Sequence, residues 1–225
     1  MTKSLHGGRK QGVFITLEGP DGSGKSTQVS LLTEQLRARG IEPVVTREPG
    51  GTRTGELIRE ILQHDRSEEP LAPETETFLF LAARAQLVRA VIRPALLEGR
   101  WVLCDRFMDS TVAYQGYGRG LGPALIEPMN ALAVGETVPD LTILLDLDPA
   151  IGLERIGHRN RAIGRQADRL ERETLAFHER LREGYLALAA RFPERIRLVD
   201  ARPEPREVFL RIWSLLEERF GNALG

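Results

Sequence analysis

The stretch Gly19-Pro-Asp-Gly-Ser-Gly-Lys-Ser26 constrains this chain more than any other. It follows a short apolar run, Val13-Phe-Ile-Thr-Leu17, and opens a segment from Gly24 to Arg39 that sets Val29, Leu32 and Leu36 on one helical face. The pattern G-x-x-x-x-G-K-[ST] between a strand and a helix calls for a backbone curled so that successive N–H groups point into one concavity at a helix N-terminus. Glycine permits the positive φ such a curl needs. The concavity is a triphosphate cradle: Lys25 is placed to bridge the β- and γ-phosphates, and the Ser26 hydroxyl is a hard oxygen suited to Mg²⁺. Gly19, Pro20, Asp21, Gly22, Ser23, Gly24, Lys25, Ser26 and Thr27 are the expected nucleotide-binding residues.

The rest of the chain repeats the strand-then-helix order. Further strands are expected at Pro43–Thr46, Trp101–Cys104, Leu141–Leu145 and Ile196–Val199. Helices are expected after Thr52 or Thr54, which serves as N-cap, with Leu57, Ile58, Ile61 and Leu62 on one face, and from Pro73 to Leu97 with a kink at Pro94. Others are expected near Leu125–Val134, at Ala167–Arg191 and at Pro205–Phe220. Strands alternating with helices of this length imply an α/β fold: a five-stranded parallel sheet between two helical layers, with ligands at the carboxyl ends of the strands. Residues 1–12 are polar and are expected to be a flexible leader to one domain spanning 13–225.

Composition removes several function classes. The chain has 225 residues, 41% of them hydrophobic, enough for a substantial core. Lys plus Arg number 31 against 32 for Asp plus Glu, so there is no global basic surface for nucleic acid. One cysteine allows no disulfide framework and, with scattered histidines, no zinc cluster, which fits a reducing cytoplasm. No apolar run approaches the roughly 18 residues of a membrane span.

A phosphate loop leaves switches, motors and small-molecule kinases open. Two more motifs stand at expected strand ends: Thr46-Arg47-Glu48-Pro49-Gly50-Gly51-Thr52 after the second, and Asp105-Arg106-Phe107-Met108-Asp109-Ser110-Thr111-Val112-Ala113-Tyr114-Gln115-Gly116 after the third. With the phosphate loop and Leu79-Phe-Leu-Ala-Ala-Arg-Ala-Gln86, they make the chain resemble thymidylate kinases from Ile15 to about Val208. The resemblance implies a homodimer that transfers the γ-phosphoryl group of ATP, with Mg²⁺, to dTMP.

It also implies roles. Arg47 and Arg106 match arginines that hold the acceptor phosphate, a task a guanidinium fork suits better than an ammonium. Asp21 matches a carboxylate that contacts the sugar 3′-hydroxyl. Phe80 resembles a ring that stacks on thymine, Arg84 a side chain that reaches a base oxygen, and Tyr114 an aromatic that excludes a ribose 2′-hydroxyl. Ser110 and Gln115 are expected polar contacts to the base or to water. Asp105 is expected either to accept from the Mg²⁺ water shell or to orient Arg106. The Glu48–Pro49 bond is expected to be cis, aiming Arg47 at a phosphate.

In one form of the family an arginine sits inside the phosphate loop, at the place held here by Gly22. The segment from about 157 to 166 is polar and carries Arg159, Arg161 and Arg165, so it reads as a mobile lid that closes over ATP and supplies the missing charge. Arg161 and Arg165 are the favoured catalytic candidates beside Lys25, Arg47 and Arg106. The rival readings are another nucleoside monophosphate kinase and a nucleotide-driven switch. The second lacks the Asn-Lys-x-Asp guanine box it needs.

Overall fold

Five apolar runs pair into one sheet, whose three central strands are buried on both faces, as the inner strands of a parallel sheet must be. The computed structural model describes residues 12–63 and 69–224. In chain order the elements are β1 (Phe14–Glu18), α1 (Lys25–Ala38), β2 (Val44–Arg47), α2 (Arg53–Gln63), α3 (Pro73–Leu87), α4 (Arg93–Leu97), β3 (Val102–Asp105), α5 (Met108–Thr111), α6 (Pro123–Val134), β4 (Leu141–Asp146), α7 (Pro149–Ala162), α8 (Leu175–Arg191), β5 (Ile196–Asp200) and α9 (Pro205–Leu224). The sheet order is β2-β3-β1-β4-β5 with every pair parallel. β1 is therefore central, and the phosphate loop leaves the middle of the sheet.

Alternation along β1 divides the core. Ile15 and Leu17 face α1 and α9 and pack with Leu32, Leu36, Ile212 and Trp213. Phe14 faces the opposite layer, with Leu87, Ile92 and Phe107. A third group, Tyr114, Ile126, Phe177, Leu181 and Tyr185, joins the helices beside the carboxyl end of β4. Burial of apolar surface, worth roughly 25 cal/mol per Å², drives this assembly.

Three elements differ from expectation. The discontinuity expected at Pro94 is a π turn over Val88–Ile92, in which the Arg93 N–H reaches back to the Val88 carbonyl. Proline cannot donate to the carbonyl four residues earlier, and the wider turn lies directly before it. The polar segment expected to link two helices as a lid from about 157 to 166 is itself helical as far as Ala162, as part of α7, which runs from Pro149. Asp148 caps it by accepting from Ala150 N at 2.9 Å, with Pro149 at the first helical position. Residues 157–162 are thus the last turns of a helix, and only 163–166 of the expected lid are loop. α8 begins at Leu175 rather than Ala167, because the Thr174 hydroxyl accepts from Phe177 N and starts it there. Of the leader, residues 1–11 lie outside the described residues; Gly12 donates to the Leu96 carbonyl at 3.1 Å.

Candidate active site

The carboxyl ends of β1, β2 and β3 open onto a cleft of about 410 Å³. Asp21, Gly22, Gly24, Lys25, Ser26 and Thr27 line it from the phosphate loop. Gly19, Pro20 and Ser23 lie beneath: Lys25 Nζ donates to the Gly19 and Pro20 carbonyls at 3.0 and 2.8 Å and approaches Ser23 Oγ at 3.4 Å. Burial, and next the charge of Arg106, lower the Lys25 ammonium to about 8, against the pull of Asp21, Asp105 and Glu18. Gly22 has φ 79°, and a Cβ on it would come within 2.3 Å of the Gly152 carbonyl oxygen on α7. The arginine of the other family form has no room here.

Asp105 ends β3 and accepts from Ser26 Oγ at 2.7 Å. Of its two expected roles, orienting Arg106 falls instead to Asp21, which accepts from Arg106 Nη2 at 2.5 Å and from the Tyr114 hydroxyl at 2.8 Å. Burial alone would raise the Asp21 carboxyl, but Arg106 and then Lys25 outweigh it and hold Asp21 far below the carboxylate range. Burial pushes the Tyr114 hydroxyl well up, so it is a neutral donor. Tyr114 and Gln115 come from a second π turn, Val112–Gly118, which follows α5.

Arg47 leaves the end of β2, steadied by a Glu56 carboxylate at 2.9 Å that also accepts from Gly51 N. The Glu48–Pro49 bond between Arg47 and those glycines is cis, as expected. Phe80, Ser110, Tyr114 and Gln115 all line the cleft, with Gln115 donating to the buried Glu76 at 2.7 Å.

Two expected site residues stand elsewhere. Arg84 lies one helical turn behind Phe80, 1% exposed, and does not line the cleft. Its Nε and Nη2 donate to Glu48, Nη1 to Thr111 and Asn130, and Nη2 also to the Phe107 carbonyl. All five guanidinium hydrogens are committed, so a base oxygen is reached only by exchanging one of them. Arg161 is exposed, with its guanidinium alongside Gly157, and is likewise not in the lining. The helix explains this: Arg155 and Arg159, four apart, share the face toward the cleft, and Arg161 is turned away from it. Arg165 does reach the cleft, paired with Asp168 at 3.2 Å, and Arg159 pairs with Glu171 at 2.8 Å.

The sequence reading missed Arg59 and Arg155. Arg59, on α2, donates to the Pro49 carbonyl at 2.9 Å and lines the cleft beside Arg47. Burial, then the like charge of Arg47, lower its pKa, against the pull of Glu56 and Asp168. Its position beyond the glycine motif, one helical turn from Glu56, was the available signal. Arg155 donates to the Ala201 and Arg202 carbonyls at 3.1 and 3.2 Å. It borders a second cavity of about 330 Å³, walled by Gly22–Gly24, Gln28 and the 201–205 loop. Arg155 stands on α7 just before the polar segment, outside every motif, so no signal marked it.

The arrangement can hold a triphosphate at the loop and a second anion among Arg47, Arg59 and Arg106. The thymidylate kinase family model matches residues 17–212. The chain is 51% identical over 207 residues to a thymidylate kinase of Desulfovibrio desulfuricans, covering 91% of this chain and 95% of that one. It is 50% identical over 210 residues to that of Deinococcus radiodurans, covering 93% and 98%. The crystal structure of thymidylate kinase from Ehrlichia chaffeensis superposes with a TM-score of 0.71 at 33% identity, covering 92% of this chain and 99% of that one. With the cradle, the second anion site and the motifs that build them all within the matched span, the chain belongs to the thymidylate kinase family.

Proposed function

We propose that the chain phosphorylates dTMP to dTDP with ATP, an acceptor phosphate oxygen attacking the γ-phosphorus directly and in line. The observation that carries this reading is the convergence of Lys25, Arg47, Arg59 and Arg106 on one cleft that runs from the phosphate loop to the ring of Phe80. Two anions must be brought together, and the attacking oxygen is already ionised, so charge neutralisation and positioning do the catalysis and no strong base is needed.

Ser26 Oγ and Asp105 Oδ2, already 2.7 Å apart, are a hard-oxygen pair that fits Mg²⁺ held otherwise by phosphate oxygens and water. Bound there, the ion would neutralise charge on the β- and γ-phosphates. Among the described residues no cluster of three His, Cys, Asp or Glu side chains could hold a metal alone, which suits an ion that arrives with the nucleotide. The loop from Gly19 to Thr27 takes the triphosphate, and the cavity beside Arg155 takes the nucleoside of ATP. Arg47, Arg59 and Arg106 take the acceptor phosphate, Asp21 its sugar and Phe80 its base, with Tyr114, Ser110 and Gln115 around them. Arg84 acts from behind, holding Glu48 and Thr111.

Residues 13–225 work as one domain in which the end of α7 and the following loop, about 157–166, close over ATP. The lid cations that face the cleft are Arg159 and Arg165, which replaces the earlier preference for Arg161. Alanine at Arg159 or Arg165 is expected to lower kcat far more than it raises the KM for ATP, because a charge presented on closure acts mainly in the transition state. Arg161→Ala is expected to retain near-native kcat; steady-state kinetics on the three variants checks the assignment.

A homodimer fits the exposed apolar side chains Leu57 and Ile61 on α2 and Phe78 on α3. Light scattering on the purified chain is expected to give twice its 25.1 kDa. No described helix is long and apolar enough to cross a membrane, and the single cysteine is free and buried, both in keeping with a cytoplasmic enzyme. The functional reading is tested by ADP release with dTMP, dUMP, dCMP, UMP and dGMP as acceptors. The highest kcat/KM is expected with dTMP. ATP turnover indifferent to dTMP would point to the switch, and preference for another acceptor to a different monophosphate kinase.

A further inference from the structure

Glu18 ends β1 immediately before the phosphate loop and is fully buried. A carboxylate there survives only if donors surround it, and four do. Phe107 N and Ser110 N donate to Oε1 at 2.7 and 3.3 Å, and Ser110 Oγ and the Tyr185 hydroxyl to Oε2 at 2.6 and 3.0 Å. The same two hydroxyls, 2.8 Å apart, accept from Arg106 Nη1 at 3.3 and 3.1 Å, beside the Gly19 carbonyl at 3.0 Å. Arg106 is also the one non-glycine residue with positive φ among the described residues, at 69°, and the N–H that follows it is the one Glu18 takes.

One carboxylate therefore fixes both the backbone turn that presents Arg106 and the hydroxyl pair that grips one edge of its guanidinium. Asp21 takes one Nη2 hydrogen. Nε makes no hydrogen bond among the described residues, so the fork keeps an edge for an anion in the cleft. We propose that Glu18 is a positioning residue for the acceptor phosphate, acting through Ser110 and Tyr185 on the Arg106 fork. The inference rests on the reading of Arg106 given above.

Its charge state gives a signature that mere packing lacks. Burial, and next the charge of Asp109, push the Glu18 carboxyl up to about 7, against Ser110, Arg106 and the Phe107 N–H. The other groups facing it are Asp109 on α5 with its partner Arg195 at 2.6 Å, Arg106 itself, Lys25, the Cys104 thiol on β3 and Tyr185 on α8. Burial raises the thiol and the Tyr185 phenol well above their ordinary values, so both are neutral near pH 7. Protonated Glu18 must itself donate to Ser110 Oγ or Tyr185 OH. The hydroxyl that accepts this proton turns its own hydrogen to the other, 2.8 Å away, and the anionic acceptor that held both hydroxyl hydrogens away from Arg106 Nη1 is lost. Acceptor binding should weaken as pH falls through the Glu18 range.

The test is steady-state kinetics from pH 6 to 8.5 on the full chain, its Glu18→Gln, Tyr185→Phe and Arg106→Lys variants, with thermal melts on each. At pH 8, Glu18→Gln is expected to raise the KM for dTMP about tenfold, the loss of one aligned hydrogen bond. The KM for ATP should stay within about twofold. The ratio of variant to native KM for dTMP should shrink as pH falls toward 6, which cancels titration of the dTMP phosphate itself. Tyr185→Phe should give the same selective rise, and it decides the matter if Glu18→Gln does not fold. Equal effects on both substrates, or a ratio independent of pH, would reduce Glu18 to a packing residue and overturn the inference. If Arg106→Lys raises the KM for dTMP while Glu18→Gln and Tyr185→Phe do not, only the inference falls. If Arg106→Lys leaves that KM unchanged, the reading of Arg106 falls.

Discussion

Replacing Arg84 with alanine is expected to destabilise the fold by about 3–5 kcal/mol, the cost of leaving a buried charge without its partner. The side chain is 1% exposed and ties α3 to the end of β2, to α5 and to α6 through Glu48, Thr111 and Asn130. Burial raises the Glu48 carboxyl even with Arg84 opposing it, and Glu48 Oε1 has no hydrogen-bond partner among the described residues, so Arg84 is the cation that compensates its charge there. Urea unfolding checks this: the midpoint should fall with an unchanged m-value. Were Arg84 chiefly a base-reading side chain in the cleft, the midpoint would stay and only the KM for dTMP would rise.

Lys25→Ala is expected to lower kcat by about 10²–10³, the range for losing one preorganised charge at the reacting phosphate. Stability should not suffer, because burial already disfavours the ammonium and its partners in the structure are the loop's own carbonyls. The two variants are thus opposite in kind, one costing the fold and the other the chemistry. ADP release with saturating dTMP, alongside a thermal melt, separates them; a kcat within tenfold of native would remove Lys25 from the transition state.

The strands and the phosphate loop were legible because they rest on local signals: apolar runs of strand length, and glycines at the positions where φ must be positive. Gly19, Gly22 and Gly24 all have such φ values. The extent of α7 was not legible. Its apolar stripe is short, two glycines lower its propensity, and it is set by a capping aspartate and a contact with the phosphate loop through Gly152. That extent decides which lid arginines face the cleft, because facing it depends on helical phase. The depth of Arg84 was hidden for a related reason. Its spacing from Phe80 gives a shared side of the helix, but depth along that side depends on Glu48, 36 residues away in sequence.

The central claim is transfer of a phosphoryl group from ATP to dTMP in one step, and the most direct test follows the phosphorus itself. With ATP, dTMP and Mg²⁺, phosphorus NMR should show dTDP and ADP appearing in equal amounts at equal rates, with no inorganic phosphate beyond the slow background. ATP carrying a chiral γ-phosphorus should give product of inverted configuration. Inorganic phosphate released at the rate of ADP whether or not dTMP is present, or retention at phosphorus, would contradict the account.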